Sequence, residues 1–339
     1  TGTVNENNEP SEYIRIRLNI SDAIDSTVTN SFPGGGDYNV WQMSFDITNK
    51  SLSNVARGKI RINSPSELKG EYDFDIGNIL KGTTSRITVN CPEVSRKQLY
   101  YLDYDIILDN GSVYNFNQQL DFTIAPKRKN KITVDGKIES GEWNLSTAMI
   151  SDSAENVKQI KDWAGTNDLS GYTMMQWDED KLYLYASITD DVFSNSNTVD
   201  KLWAGDSIQF GVYNPEYAHI AQGEGLSDFN EIGIALLKDG AAVYKFKDQY
   251  KAQDRIGQIK DCEAAVVRDE TTKTTNYEFA ISWKALFGKE MNYKTGDRIG
   301  YSVLYNDDDG SGRRGWIEYA SGIGQAKNTK LFTYLNLVD

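Results

Sequence analysis

Apolar residues recur at every second position through much of this chain, and in its N-terminal third no stretch of twelve or more residues carries a helical period. Alternation of period two marks a strand with one buried face, so the chain is confined to β architecture. Residues 13–20 place Ile14, Ile16, Leu18 and Ile20 on one face, and residues 40–48 do the same with Trp41, Met43, Phe45 and Ile47. Further strands are expected at 56–62, 85–89, 99–108 and 113–124, with Asp109, Asn110, Gly111 and Ser112 as a hairpin turn between the last two. Short strands at this spacing imply a β-sandwich of immunoglobulin-like size. Its core is expected from residues 14, 16, 18, 43, 45, 47, 60 and 62.

The same period returns after residue 131. Strands are expected at 181–189, 207–213, 232–237, 241–246, 276–283, 299–305 and 331–337, with Lys238, Asp239 and Gly240 as a second hairpin turn. Residues 283–287 read as one helical turn stopped by Gly288. The set implies a larger, jelly-roll-like sandwich of about ten strands. Between the two lies a basic, proline-marked run beginning at Pro126. The reading is therefore all-β with two sandwich domains: a linker at 1–10, an immunoglobulin-like accessory sandwich at 11–126, a linker at 127–131, and the larger sandwich at 132–339.

Charge and composition narrow the function. A net charge of −13 and a pI near 4.7 offer no counterion-release surface, so a nucleic acid is not expected as partner. No run of roughly 18 apolar residues is present, so no membrane span is expected. The single histidine, His219, rules out a multi-histidine zinc site and makes a Ser-His-Asp triad depend on one residue. Cys91 and Cys262 fall in different domains and read as free thiols. The polar opening Thr1-Gly2-Thr3-Val4-Asn5 reads as a linker, which suggests a piece of a multimodular polypeptide.

Five segments then carry a resemblance. They are 134–143 (Val-Asp-Gly-Lys-Ile-Glu-Ser-Gly-Glu-Trp); 177–185 with Thr189, Asp190 and Asp191; 203–210 (Trp-Ala-Gly-Asp-Ser-Ile-Gln-Phe); 277–283; and 300–310. In this order they resemble carbohydrate-binding module family 9, over roughly residues 131–339. The resemblance implies a non-catalytic β-sandwich that binds a polysaccharide or oligosaccharide and is supported by bound calcium. A secreted or cell-surface protein is expected, carried with other modules of the same polypeptide, and a monomer. Some members hold a sugar between two tryptophans. Trp203 matches one of these, and Gln209 falls where the family often has a carboxylate. Trp316 is the candidate for the second.

The loop joining residues 305 and 316 adds a reading of its own. If Ile317 faces the core, period two puts Trp316 on the open face, and Gln209 likewise lies opposite Ile208 and Phe210. An aromatic platform edged by Asn306, Arg313 and Arg314 suits a sugar ring, with its apolar C–H face and polar rim. The alternatives are that the tryptophans are packed structural residues and that the arginines only neutralise the neighbouring aspartates. Asp307, Asp309, Ser311 and Gly312 also fit a calcium-loop template with Glu318 at position twelve. Asp135, Glu139 and Glu142 form a second oxygen-rich group, in the segment that matches the family's opening, and Asp190 with Asp191 a third. Other classes remain open. One is a structural or adhesion spacer without a sugar site, the other a jelly-roll glycoside hydrolase with paired carboxylates.

Overall fold

The structure, a computed structural model, describes residues 24–31, 41–51, 55–66, 68–73, 78–91, 100–120, 122–215, 228–325 and 327–339. The chain divides into two compact units. One comprises residues 1–29, 43–89 and 102–118; the other comprises 30–42, 90–101 and 119–339.

The first nine strands are β1 (Ile24–Ser31), β2 (Trp41–Asn49), β3 (Val55–Ala56), β4 (Gly58–Ser64), β5 (Gly70–Asp73), β6 (Ile79–Leu80), β7 (Thr84–Cys91), β8 (Tyr100–Leu108) and β9 (Val113–Leu120). They form a sheet of order β1-β2-β7, a sheet of order β5-β4-β8-β9, and the pair β3-β6. Met43, Phe45, Ile47, Ile60 and Ile62 are all fully buried, as the alternation requires. The expected strand at 13–20 lies outside the described residues, as does His219. The side chain of Cys91 lies outside them too. Strand β1 was not anticipated because its sequence, Ile-Asp-Ser-Thr-Val-Thr-Asn-Ser, is mostly polar; Ile24 and Val28 are its buried apolar residues.

The second unit is a sandwich of two sheets. One holds, in order, β10 (Ile124–Pro126), β23 (Thr333–Val338), β21 (Arg298–Asp307), β15 (Ser207–Tyr213), β16 (Asn230–Leu237), β17 (Gly240–Lys247) and β18 (Gly257–Gln258). In the same sheet β22 (Gly315–Glu318) pairs with β21, and β12 (Val157–Lys158) pairs with β22. The other sheet runs β11 (Met149–Ser151), β13 (Leu169–Trp177), β14 (Lys181–Asp190), β20 (Thr274–Ser282) and β19 (Cys262–Asp269). Leu182, Leu184 and Ile188 on β14 and Phe279 and Ile281 on β20 meet Ile208, Phe210 and Val212 on β15 in one core. The rings of Phe210 and Phe279 contact edge to face at 5.7 Å, from one sheet to the other. A single helical turn, Trp283–Phe287, starts where the Ser282 hydroxyl accepts the Ala285 N–H at 3.1 Å and stops at Gly288, whose φ is +72°.

Strands β11, β12, β13, β18 and β19 lie outside the expected set, and β13 and β19 are the longest of them. Strand β13 is buried on both faces, because Ile132, Trp143, Met174, Tyr183 and Tyr185 pack a second, smaller cluster on the outside of its sheet. A strand covered on both sides has no polar face to alternate with. Strand β19 carries a weak pattern, with Val266 its only buried apolar residue.

The expected linker at 127–131 is instead partly built into the fold. Pro126 ends β10, whose place at the sheet margin tolerates a residue without an N–H. Lys127 donates its N–H to Val338, bridges Trp177 and pairs with Glu179, while Arg128 pairs with Asp178. Lys127 and Arg128 are therefore held by acids and backbone, while Lys129 and Lys131 are exposed. Among the described residues no helix is long and apolar enough to cross a membrane.

Candidate functional site

The most exposed tryptophan of the candidate set is Trp203, at 40%. It sits on a short 3-10 segment, Val199–Ala204, whose Leu202 is buried and anchors it. The Asn195 amide clamps this segment to the start of β15 by donating to the carbonyls of Leu202 (2.9 Å) and Asp206 (3.0 Å). Close approach is possible because β16 offers Gly233 there; a Cβ at that position would lie 2.6 Å from Leu202 and 2.7 Å from Phe246.

Beside Trp203 opens a cleft of about 360 Å³. Its floor is the outer face of β15 and β16, where Gln209 and Glu231 present polar side chains, with Asn306 of β21 buried beneath. Gln209 donates to Glu231 Oε1 at 2.8 Å and accepts from Asn306 Nδ2 at 3.0 Å. Asn306 in turn accepts from Arg313 Nε at 2.8 Å, and Glu231 Oε1 also receives Lys327 Nζ at 2.6 Å. The chain Arg313–Asn306–Gln209–Glu231–Lys327 thus locks five side chains from several segments into one array. Phe246, Lys247, Ile323 and Gly324 complete the walls. Burial pushes the Arg313 guanidinium down to about 10.

Of the six residues singled out for ligand binding, Trp203, Gln209 and Arg313 line this cleft. Asn306 lies buried beneath it, fixing Arg313 and Gln209. Trp316 does not stand on an open face: it is fully buried. Parity did place it opposite Ile317, which is in the sandwich core. That second face is itself covered, however, by a cluster of Tyr213, Phe229, Leu304, Ile323 and Phe332. Gly324 presses so close that a Cβ there would lie 2.3 Å from Trp316 Cε2. The Trp316 indole donates to Glu318 Oε2 at 2.7 Å, and Glu318 also accepts from the Ser321 hydroxyl. Arg314 points elsewhere, into a group of acids.

Those acids are the second feature of the loop. Arg314 meets Asp168 (3.0 Å), Asp307 (3.1 Å), Asp309 (2.6 Å) and Asp162 (3.1 Å). Carboxylate oxygens of Asp190, Asp307 and Asp309 come within 4.8 Å of one another. Asp206 adjoins them, and Asp308 orders the loop by accepting the N–H groups of Gly310 and Gly312, each at 2.8 Å. Burial raises Asp190 to about 6, Asp307 to about 7 and Asp206 to about 10, with the neighbouring carboxylates adding repulsion. Asp307 Oδ1 and Asp309 Oδ1 are buried without a hydrogen-bond donor. A set of hard oxygen donors short of positive charge fits a calcium ion.

The other expected metal ligands do not gather in this way. Glu318 is occupied by Trp316 and Ser321 and is absent from the acid group, so the twelve-position calcium template does not close. Asp135, Glu139 and Glu142 are not brought together: Glu142 accepts the N–H of Thr133 at 3.0 Å, Asp135 accepts that of Lys137 at 3.0 Å, and Glu139 is exposed. These carboxylates brace turns. Trp143, Trp177 and Trp283 are buried in packing, and Trp163, which donates to the Leu169 carbonyl at 2.9 Å, does not line the cleft.

The residues missed from sequence are Glu231, Phe246, Lys247 and Lys327. Glu231 was within reach of the parity argument. Ile232 and Ile234 fill the core, so Glu231 and Gly233 must share the outer face with Gln209, to which Gly233 is directly paired. The expected strand, 232–237, stops one residue short of it, whereas β16 begins at Asn230.

Residues 134–339 match the family described as Carbohydrate family 9 binding domain-like. Among solved structures the chain is similar to a family 9 carbohydrate binding module from Caldicellulosiruptor kristjanssonii in complex with cellotriose, at 16% identity and a TM-score of 0.44, covering 63% of this chain and 93% of that one. A family 9 carbohydrate binding module from the same organism in complex with glucose gives 16% identity and a TM-score of 0.43, covering 62% and 94%. A putative carbohydrate-binding protein from Bacteroides uniformis gives 10% identity and a TM-score of 0.37, covering 56% and 85%. No curated protein matches the chain. With the family's pattern running from Val134 to the last residue, over well more than half of its length, the chain belongs to the family 9 carbohydrate-binding domains.

Proposed function

We propose that the cleft beside Trp203 is the sugar site, and that this chain tethers a larger secreted or cell-surface polypeptide to a glycan without acting on it. The observation that carries this reading is the half-exposed Trp203 ring at the edge of a cleft whose floor is a fixed polar array. A sugar ring laid on the indole buries its C–H face, while Gln209, Glu231 and Arg313 meet its hydroxyls. Because the array is already hydrogen-bonded, little side-chain order remains to be imposed on binding.

Calcium enters the same proposal as a structural ion held by Asp190, Asp307 and Asp309. Bound there, it supplies the positive charge that Arg314 alone provides only in part. The acid-bearing loop is also the loop that carries Arg313, so the ion secures one wall of the cleft.

Affinity electrophoresis and calorimetry against soluble glucans, xylans, mannans and acidic polysaccharides test the reading. Binding to at least one glycan is expected, with loss in Trp203→Ala. Failure to bind any of them, or binding indifferent to Trp203, sinks it.

A further inference from the structure

The chain carries a net charge of −13, yet its cleft is walled by three cations and one acid. Lys247, Arg313 and Lys327 stand against Glu231 alone. Glu231 is engaged through Oε1, which takes both Lys327 Nζ (2.6 Å) and the Gln209 amide (2.8 Å), while its Oε2 is buried without a donor among the described residues. That leaves Lys247 and Arg313. Lys247 is paired across the strands with Glu231, but its Nζ lies 4.8 Å from the centre of the Phe229 ring, and no carboxylate is within ion-pair distance among the described residues. Arg313 touches the two indoles, Trp203 at 5.7 Å and Trp316 at 4.5 Å, and gives its Nε to a neutral amide oxygen. Neither of its Nη groups has an acceptor among the described residues.

The contrast with the next residue is informative. Arg314 is matched by four carboxylates, and Arg313, one position away in the same acid-rich loop, by none. Burying a guanidinium against aromatic faces without a counter-charge is costly unless a ligand supplies that charge. On the floor Gln209 and Asn306 are amides, and the one carboxylate, Glu231, is paired with Lys327. A neutral sugar offers Arg313 hydrogen bonds but no compensating charge. A planar anionic group offers both, in the bidentate geometry a guanidinium favours.

Building on the sugar site proposed above, we infer that the cleft selects a sugar bearing an anionic substituent, its ring on Trp203 and its charged group between Arg313 and Lys247. A uronate carboxylate and a sulfate ester share this chemistry, and the test separates them. Calorimetry on the full chain compares trigalacturonate, galactose 6-sulfate and neutral cellotriose as probes at low and high salt. At least one anionic probe binds about tenfold or more tighter than cellotriose, as one charge-assisted hydrogen bond provides. The advantage shrinks as salt rises. Arg313→Gln and Lys247→Gln each reduce the preference, and Arg313→Lys, which keeps the charge but not the fork, retains part of it. Trp203→Ala weakens all binding. If cellotriose binds at least as tightly as both anionic probes in a Trp203-dependent way, the sugar site stands and the anionic preference is overturned. If none of the three binds and the wider glycan panel is also negative, the sugar site itself fails.

Discussion

The guanidinium carbon of Arg313 lies 4.5 Å from the centre of the Trp316 indole, so a side chain of the protein itself covers the ring that the strand pattern had offered to a sugar. The other indole near this arginine, Trp203, is the one left half exposed. The two tryptophans therefore do different work, one at the surface and one inside the fold, and their replacement should separate binding from stability.

Trp203→Ala is expected to abolish measurable glycan binding while leaving the denaturant midpoint nearly unchanged, since its ring is only partly buried. Trp316→Ala is expected to cost about 3–5 kcal/mol of stability, the range for emptying a buried aromatic site. Paired calorimetry and urea unfolding read both. Equal loss of stability in the two variants would contradict the division.

The acid group sets a pH dependence. In the folded state Asp190 is raised to about 6 and Asp307 to about 7, against about 3.9 in an unfolded chain. The folded state therefore holds these protons more tightly. Their contribution to stability is complete below about pH 4 and is lost as pH rises through 6 to 7. With a chelator present, the melting temperature should fall between pH 5 and pH 8, and calcium should restore it most at the higher pH. Asp307→Asn should flatten the slope. Melting curves that ignore calcium at every pH would remove the ion from this site.

Lys245 and Asp248 form a buried pair at 2.8 Å, with Arg255 reaching Asp248 at 2.6 Å. Burial holds the Lys245 ammonium below its usual range. Asp248→Asn strands that charge and is expected to cost about 3–5 kcal/mol. Urea denaturation measures it, and a loss under about 1 kcal/mol, the scale of an exposed pair, would show the site is wetter than it looks.

Filling Gly324 tests the cover over Trp316. A Cβ there meets the indole at 2.3 Å, so Gly324→Ala must move the loop or the ring. A loss of about 1–3 kcal/mol is expected from such overpacking, together with a change in Trp316 fluorescence. An unchanged melting curve would mean the loop yields freely.

Much of the fold was legible because one face of most strands is core. Strands β14, β15 and β20 show the expected faces, and Ser282 and Gly288 bracket the short helix as their side-chain and backbone chemistry demands. The family itself was legible from segments spread along residues 134–310. What the pattern could not carry was the second layer. Parity states which face a residue takes, not whether a later segment covers that face, and Trp316 lies under Ile323 and Phe332, which come from after its strand. The acid group shows the same limit. Asp307 and Asp309 stood out by spacing, but Asp168, Asp190 and Asp206 join them only through the topology.

The second unit's first and last strands, β10 and β23, lie side by side and parallel, Ile124 opposite Asn336 and Pro126 opposite Val338. Tension drawn through the chain from Thr123 to Val338 pulls these strands past one another along their length. Their ladder is then loaded in shear, all its bonds at once, rather than peeled open one bond at a time. Pulled from these two points, the unit resists as a lap joint does, with the margin of the sheet serving as its seam.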